Sequence, residues 1–300
     1  MKLHPITLSY GHCLTQIPLL ENRSIRAVIT SPPYAQQRKG HYPGWDEDEY
    51  PETMVKIFDV IRPKLTKDGS ILVNIRSHVK DGAVSDYVLK TRLALREHGW
   101  IENEELIWYK PDSDPKGSIY RPRRSWENIL WFSMSKKPFV NLKAAGKLSG
   151  NIGGFGGAKR KSGVARITDV FIAGTSENVR GVKHPAKFPP RLVEQLVHTF
   201  TEKDDGVLDP FAGSGTTLFV TRFMKRKPFG IEIMQKFIDV IRGREANIDW
   251  SHEVTLNYIE RRARMIDFLD LDKATATGLR EVFNESFDKQ GKQRWKMLDA

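Results

Sequence analysis

The strongest constraint in this sequence is an alternation of strand and helix patterns between residues 206 and 246. Residues 206–210 predict a buried strand, and residues 214–224 predict a helix. A second strand over 228–233 and a helix that begins at Met234 follow directly. Strands and helices that alternate in this way form parallel sheets with helices packed on both faces. The pattern therefore predicts an α/β fold built on a doubly wound, mostly parallel sheet.

The first half of the chain repeats the alternation. The β-branched run at 27–30 ends at Pro32 and Pro33, because two prolines cannot continue a hydrogen-bonded strand. Apolar residues at helical spacing follow between Met54 and Leu65. Further elements are predicted as strands over 70–75, 101–109 and 126–132 and as helices over 84–98 and after Pro190. Residues 254–289 are polar with a helical pattern and carry no motif that we can assign.

Cysteine content and hydropathy exclude several classes of protein. Cys13 is the only cysteine among 300 residues, so a disulfide framework, a cysteine-rich zinc site and a zinc deaminase signature are excluded. No metal site is expected. No apolar run approaches the roughly 18 residues of a membrane span, and the start lacks the apolar segment of a secretory signal. A cytoplasmic protein is the expectation.

Charge is concentrated in one segment. Lys and Arg number 48 against 37 Asp and Glu, and residues 110–166 alone hold thirteen basic residues against three acidic ones. Such asymmetry favours a polyanionic partner, and double-stranded DNA fits it. The glycine-rich run at 151–161 predicts a mobile loop that orders against phosphates, with a plain linker as the alternative. The candidate DNA-binding residues are Arg121, Arg123, Arg124, Lys136, Lys137, Lys159, Arg160 and Lys161.

A glycine-rich turn, Asp209 to Thr217, lies between the strand at 206–210 and its helix. Glycines let the backbone approach a ligand, and free amides at the helix start would point toward it. A phosphate-binding P-loop requires Lys where Thr216 stands, and a dinucleotide fingerprint requires Gly where Leu218 stands. Glu232 ends the next strand, where such sheets place a carboxylate that accepts ribose hydroxyls. A ribose without phosphate indicates a nucleoside cofactor, with S-adenosylmethionine the obvious one.

A second turn, Ser31-Pro32-Pro33-Tyr34, directly follows a strand. An exocyclic aromatic amine is a weak nucleophile because its lone pair is conjugated into the ring. The Ser31 hydroxyl and the Pro32 carbonyl can accept its two hydrogen bonds, and Tyr34 can stack on an extruded base. Pro-Pro after a strand is otherwise an ordinary loop entry, so this reading depends on the first turn.

Together the two turns resemble the motifs of bacterial DNA amino-methyltransferases, Asp/Asn/Ser-Pro-Pro-Tyr and Asp-Pro-Phe-x-Gly-Ser-Gly-Thr-Thr. The catalytic motif comes first and the cofactor motif last, which is the order of the family's permuted β group. Residues 184–189 and 124–132 resemble further family segments, so the resemblance covers about 8–248. It implies a circularly permuted Rossmann-like methyltransferase, with the sheet cut between the strand that ends at Glu232 and the strand that leads to Gly11.

The resemblance also implies residue roles and boundaries. Catalysis would be carried by Ser31, Pro32, Pro33 and Tyr34. The cofactor would be held by Asp209, Pro210, Phe211, Gly213, Ser214, Gly215, Thr216, Thr217, Glu232, Lys187 and Phe188. The expected regions are a catalytic half at 1–132, an inserted target-recognition region at 133–180, a cofactor-binding half at 181–249 and a C-terminal helical extension at 250–300.

Two positions depart from the family pattern. Many relatives have Gly-Asp where this chain has Gly11-His12, and they commonly have Asp where Arg26 stands. These departures leave the contacts on the adenine side of the cofactor open. His12 is equally compatible with an ordinary surface histidine.

The choice of reaction rests on a few residues. Methylation of cytosine at carbon needs a thiolate, and Cys13 has no preceding proline, so carbon methylation is excluded. Ser31 favours the N4 amine of cytosine, with the N6 amine of adenine as the alternative. A catalytically inactive DNA-binding protein is the second alternative, and methylation of a protein glutamine or of RNA is disfavoured by the motif order. A homodimer and a cognate restriction endonuclease that shares the recognition site remain open as partners.

Overall fold

The protein is described by a computed structural model over residues 3–35, 44–113, 120–142, 167–175 and 188–246. These residues form one eight-stranded sheet, a two-stranded hairpin and six α-helices. The strands are β1 Thr7–Tyr10, β2 Ile25–Thr30, β3 Leu65–Ile75, β4 Val79–Lys80, β5 Ala83–Val84, β6 Ile101–Tyr109, β7 Trp126–Ser133, β8 Val170–Ile172, β9 Gly206–Asp209 and β10 Lys227–Glu232. The helices are α1 Cys13–Gln16, α2 Tyr50–Ile61, α3 Tyr87–Glu97, α4 Pro190–Phe200, α5 Thr216–Phe223 and α6 Gln235–Ala246.

The large sheet has the order β1-β10-β9-β2-β3-β7-β6-β8. Strands β1, β10, β9, β2 and β3 are each parallel to the next, and β8 is parallel to β6. Strand β7 alone runs antiparallel to both of its neighbours. The predicted α/β fold with a mostly parallel sheet is therefore confirmed.

Helices cover both faces of the sheet, because successive side chains of a strand point to opposite faces. Val28 packs in a core with α2 and α3, together with Met54, Phe58 and Leu95. Ile29, the next residue of β2, packs in a second core with α4 and α5. The two cores give the doubly wound, three-layer arrangement that the alternating pattern predicts.

The two ends of the permuted order meet at one side of the sheet, where β1 is the outermost strand. Strands β1 and β10 are parallel neighbours, and the Gly11 amide donates a 3.0 Å hydrogen bond to the Glu232 carbonyl. The sheet is thus cut between these two strands, as the resemblance implies. Strand β8 lies within the predicted insertion at 133–180 and yet pairs with β6, so this part of the insertion belongs to the core sheet. The predicted extension at 250–300, with its pattern at 254–289, lies outside the described residues.

Arg26 stands near the amino end of β2, where the register with β3 shifts. Its guanidinium forms ion pairs with Asp68 and, at 3.2 Å, with Asp205. Parallel strands bind ligands at their carboxyl ends, so Arg26 lies at the wrong edge for a cofactor contact. This departure from the family pattern therefore leaves the ligand-binding edge unchanged. In the described part of the chain, no helix is both long and apolar enough to cross a membrane.

Candidate active site

The candidate site is a row of side chains along the carboxyl edge of the sheet. Six adjacent strands supply it, in the order β10, β9, β2, β3, β7 and β6. The polar residues of the row are, in the same order, Glu232, Asp209, Thr30, Asn74, Glu127 and Lys110. Strand β7 contributes its first residues rather than its last, because it runs antiparallel to the others.

The two predicted turns meet at the centre of this row. Strands β2 and β9 are parallel neighbours, so the turns that follow them leave the sheet side by side. The Thr30 hydroxyl donates a 2.7 Å hydrogen bond to Asp209 Oδ1, and both side chains are buried. The convergence of two segments that are 179 residues apart in sequence is therefore direct.

The turn after β9 depends on two glycines with positive φ, Gly213 at 52° and Gly215 at 82°. Non-glycine residues rarely adopt this conformation, and a Cβ on Gly215 would lie 2.9 Å from Ile241 Cγ1. The Gly215 amide donates to the Ala212 carbonyl at 2.8 Å, and the Gly213 amide donates to Glu232. The prediction of free amides is therefore wrong for these two residues, because the Gly215 amide bonds within the turn and the Gly213 amide bonds to Glu232.

Glu232 is held in place by two backbone amides. Its Oε2 accepts from the Gly213 amide and its Oε1 from the Met234 amide, both at 2.8 Å. Burial raises the pKa of Glu232, against the lowering effect of these hydrogen bonds. Each carboxylate oxygen retains capacity to accept a further hydrogen bond, so the carboxylate is fixed in place and can still accept hydroxyl groups.

Asp209 lies between the two turns and is 3% exposed. Burial raises its pKa to about 6, although hydrogen bonds from Thr30, Thr217 and the Phe211 amide act in the opposite direction. Among the described residues, neither Asp209 nor Glu232 has a cation as an ion-pair partner. Both carboxyl groups therefore present negative charge that no ion pair with a described cation neutralises, although Lys236 lies close enough to act on Glu232.

Tyr34 connects the catalytic turn to side chains of β3 and β7. Its phenol donates a 2.6 Å hydrogen bond to Glu127 Oε2 and accepts one from Asn74 Nδ2 at 2.9 Å. Burial and the charge of Glu127 raise the pKa of Tyr34 well above its usual value, whereas a hydrogen bond with the Ser31 side chain acts to lower it. Pro32 is buried, and Ser31, Pro33 and Tyr34 are half-buried.

Glu127 is buried and accepts two hydrogen bonds in addition to its ion pair. Lys110 Nζ lies 2.7 Å from Oε1, and Asn74 Nδ2 donates to Oε2 at 2.8 Å beside the Tyr34 phenol. Burial acts to raise the pKa of Glu127, but Lys110 and these hydrogen bonds outweigh it and lower the pKa. Glu127 is therefore ionised at neutral pH and, unlike Asp209 and Glu232, it forms an ion pair with a buried cation.

The predicted DNA contacts separate into two groups. Arg121, Arg123 and Arg124 are exposed next to the carboxyl edge, and the guanidinium groups of Arg121 and Arg124 bond the carbonyls of Gly82 and Ser77. Lys136 and Lys137 follow β7 at the opposite edge, where the Phe139 amide bonds the Asp68 carbonyl. The eight residues of β7 separate the two groups by about 23 Å. Lys136 and Lys137 therefore lie at the edge opposite the arginines, and their contact with DNA stays a prediction.

Several predicted residues contribute differently or cannot be placed. His12 caps α1, because its Nδ1 accepts a 3.2 Å hydrogen bond from the Leu14 amide. Phe188 packs against the core beneath α4, and Pro210, Ser214, Thr216 and Thr217 are buried in the turn. The predictions for Lys159, Arg160, Lys161 and Lys187 lie outside the described residues.

Sequence patterns missed four residues near the site. Asn74 and Lys110 complete the hydrogen bonds of Glu127, and Trp45 packs edge-on against Phe211 with ring centroids 5.9 Å apart. Arg76 follows β3, and burial together with the charge of Arg124 lowers its pKa. A polar residue inside the apolar run at 70–75 was the one available signal, and it pointed to Asn74. In the described part of the chain, no cluster of three or more His, Cys, Asp or Glu could hold a metal ion.

The fold and the site together define a Rossmann-like amino-methyltransferase core of permuted motif order. A family model for DNA methylases of the N6/N4 class matches residues 25–243, and the chain belongs to this family. It is accordingly a DNA methyltransferase that acts on an exocyclic amine, N4 of cytosine or N6 of adenine.

Individual relatives agree with this assignment. The type II methyltransferase M.XycI of Xanthomonas campestris pv. cyanopsidis is 27% identical over 283 residues, which cover 81% of this chain and 89% of that protein. The cytosine-N4-specific PvuII DNA methyltransferase superposes with a TM-score of 0.69 at 25% identity, over 87% of this chain and 93% of its own. The structure of M1.HpyAVI in complex with SAM has the same fold, with a TM-score of 0.57 at 20% identity, over 80% of this chain and 99% of its own.

Proposed function

We propose that this protein transfers a methyl group from S-adenosylmethionine to the N4 amine of a cytosine extruded from duplex DNA. The observation that carries the proposal is the 2.7 Å hydrogen bond between Thr30 and Asp209, which joins the catalytic turn to the cofactor turn at one edge of the sheet. Methyl transfer to nitrogen requires the donor carbon and the acceptor amine to be in contact. Two adjacent turns, one suited to each reactant, meet that requirement.

The side of the row formed by β9 and β10 fits S-adenosylmethionine. Glu232 is fixed by two backbone amides and can accept the hydroxyl groups of a ribose. Asp209 and Glu232 lack ion-pair partners among the described cations, so their charge complements a positively charged ligand. The cofactor supplies a methyl group made electrophilic by a positively charged sulfur. The protein holds the ligand, fixes its orientation and excludes water from it.

The side of the row formed by β2 and β3 fits the target amine. The Ser31 hydroxyl and the Pro32 carbonyl follow β2 directly, and proline has no N–H, so this turn offers acceptors. Two accepted hydrogen bonds would draw the amine hydrogens out of conjugation with the ring and free the nitrogen lone pair for attack. The amine nitrogen forms the new bond to carbon, and the proton leaves afterwards, so no general base is required in the turn.

Two features favour cytosine as the target. Ser31 occupies the first position of the catalytic motif, where the resembled family more often has Asp in enzymes that act on adenine N6. The PvuII methyltransferase, which is 25% identical and superposes over most of the chain, is specific for cytosine N4. Adenine N6 is the alternative outcome of the test below.

DNA contact is supported by arginines beside Tyr34. Arg76, Arg121 and Arg124 surround the turn between β3 and α3, and no ion pair joins any of them to a described acidic residue. The Nε of Arg76 is buried without a hydrogen-bond partner among the described atoms. Guanidinium groups that lack acidic partners suit the phosphates that flank an extruded base. The type II designation of M.XycI supports a cognate restriction endonuclease for this chain, which would fail to cut DNA that this protein had methylated.

The proposed reaction is tested by identifying the product. DNA treated with the protein and with S-adenosylmethionine that carries a deuterated methyl group is digested to nucleosides and analysed by mass spectrometry. We expect labelled N4-methylcytosine. Labelled N6-methyladenine would replace the proposed target by the alternative one. The absence of a labelled nucleoside, together with no cofactor binding detectable by calorimetry, would support the inactive DNA-binding protein.

A further inference from the structure

Beyond the two motif turns, the active-site edge contains a buried ion pair for which the proposed chemistry has no direct use. Glu127 and Lys110 are 9% and 6% exposed, and their charged atoms lie 2.7 Å apart. A buried ion pair contributes little net stability, because the loss of hydration of both charges offsets their attraction. Well-packed apolar residues in place of a buried ion pair are often neutral for stability. The location of this pair therefore calls for a role other than folding.

The ion pair makes contact with the catalytic turn through one side chain. The Tyr34 phenol donates a 2.6 Å hydrogen bond to Glu127 Oε2. Asn74 Nδ2 donates to the same carboxylate oxygen and to the phenol oxygen. These three groups form a closed triangle of hydrogen bonds. Each vertex comes from a different strand or turn, since Tyr34 follows β2, Asn74 lies in β3 and Glu127 begins β7.

This triangle fixes both rotations of the tyrosine. A tyrosine ring has two side-chain torsions, and a hydroxyl that both donates and accepts in fixed directions restricts both of them. Hydrogen bonds to an ionised acceptor are shorter and stronger than those to a neutral one. Lys110 holds Glu127 in the ionised form, and its own ammonium lies 5.1 Å from the centre of the Trp108 ring.

We propose that Glu127 is a positioning residue for methyl transfer, which holds the Tyr34 ring in the orientation that the extruded base must meet, and that Lys110 keeps Glu127 ionised for this purpose. The inference rests on the proposed function, because it assigns the ring of Tyr34 to the base. Glu127 has no place in proton transfer, since its lowered pKa makes it a poor base. A ring displaced by about 1 Å would reduce turnover by up to about 100-fold.

The test is a double-mutant cycle on turnover, measured at saturating S-adenosylmethionine and DNA. Glu127→Gln keeps the size of the side chain and removes its charge, and Tyr34→Phe removes the hydroxyl on which Glu127 acts. We expect each single variant to lose about 10- to 100-fold in kcat and to keep wild-type affinity for S-adenosylmethionine. The kcat of the double variant is expected to lie within about threefold of the kcat of the less active single variant, because both changes break the same contact.

A matched control separates positioning from general stability. Glu102 in β6 pairs with Arg92 at 2.6 Å, and its side chain is 10% exposed, close to the 11% of the Glu127 side chain. Glu102 lies near the start of β6, at the edge of the sheet opposite the active site. Glu102→Gln therefore neutralises a carboxylate of similar exposure, although Arg92 is 23% exposed and keeps its ion pair with Glu105, and we expect its kcat to stay within about twofold of wild type.

A second variant covers the case in which Glu127→Gln leaves Lys110 unpaired and the protein unfolds. Lys110→Met/Glu127→Leu removes both charges and is expected to fold. Its thermal stability should be lower than that of the wild type, because the Tyr34 phenol and the Asn74 amide lose their acceptor, and its cofactor affinity should match wild type while its kcat stays about 10- to 100-fold lower. Wild-type kcat in this variant or in Glu127→Gln, or losses that multiply in the cycle, would overturn the inference. Failure of the wild-type protein to methylate any base would instead overturn the proposed function.

Discussion

The hydrogen bond between Thr30 and Asp209 divides the active-site edge into two halves of opposite electrostatic character. On the cofactor side, Asp209 and Glu232 bond to backbone amides and hydroxyls, and burial raises the pKa of both. On the base side, Glu127 is equally buried, yet Lys110 lowers its pKa. Burial alone therefore does not determine the charge state of a carboxyl group at this edge. The ion pair with Lys110 reverses the direction of the pKa shift at Glu127.

The difference matches the two reactants. The cofactor carries a positive charge at sulfur, and the half that would hold it presents carboxylates without cations of their own. The target base is neutral, and the half that would hold it keeps its one carboxylate neutralised by Lys110. Glu127 thus presents no unbalanced negative charge to a neutral base, and a positively charged donor meets negative charge on its own side.

The largest effect is expected at the catalytic turn. Ser31→Ala removes one of the two acceptors for the amine, and loss of a single such contact in a buried site typically costs 10²- to 10³-fold in rate. We therefore expect a loss of about 10³-fold in kcat. Single-turnover methylation with labelled cofactor measures it directly. A rate within about tenfold of wild type would show that the Ser31 hydroxyl does not assist the amine.

A smaller effect on stability should distinguish the two halves. The pKa of Asp209 is about 6 in the folded protein against an ordinary value of 3.8, so the folded protein binds this proton more tightly than the unfolded chain does. Ionised Asp209 therefore lowers the free energy of unfolding above pH 6, and this effect disappears as the pH falls below about 4. Asp209→Asn should raise the free energy of unfolding at pH 7 by on the order of 2 kcal/mol and should leave it unchanged near pH 4.

Urea denaturation of Asp209→Asn and of the wild type at both pH values measures that difference. Thr30→Val serves as the control, because it removes a hydrogen bond to Asp209 and leaves the carboxyl group in place. A stability gain in Asp209→Asn that is the same at pH 4 and pH 7 would contradict the assignment of an unneutralised charge to the cofactor side.

The smallest effect concerns DNA. Each phosphate contact contributes about −0.9 to the slope of log affinity against log salt concentration. Arg121→Gln/Arg124→Gln should make this slope shallower by about 2, because both side chains are exposed at the carboxyl edge of the sheet. Lys136→Gln/Lys137→Gln changes the net charge equally at the opposite edge and should leave the slope unchanged. Equal changes in both double variants would indicate that overall charge, rather than this surface, determines DNA affinity.

The cofactor half could be predicted from the sequence more completely than the base half. Asp209 to Thr217 and Glu232 lie in consecutive elements of one strand-helix-strand unit, so their local spacing carries the information. The meeting of Thr30 with Asp209 followed from a general rule, since turns after adjacent parallel strands share one edge.

The base half depends on contacts that no local pattern encodes. Glu127 meets Tyr34 across 93 residues and Asn74 across 53, through strand pairings that the sequence does not reveal. Lys110 appeared in the sequence only as one of many cations. Lys136 and Lys137 were grouped with the arginines because the charge was counted along the chain, whereas the antiparallel direction of β7 carries them to the far edge.

The division of the edge into two halves is tested most directly by calorimetric titration of S-adenosylmethionine into Glu232→Gln and Ser31→Ala. The two residues lie on opposite sides of the bond between Thr30 and Asp209. We expect Glu232→Gln to weaken binding by about 10-fold or more, which corresponds to one lost charged hydrogen bond, and Ser31→Ala to bind within about twofold of wild type. Equal weakening in both variants, or weakening in Ser31→Ala alone, would contradict the account.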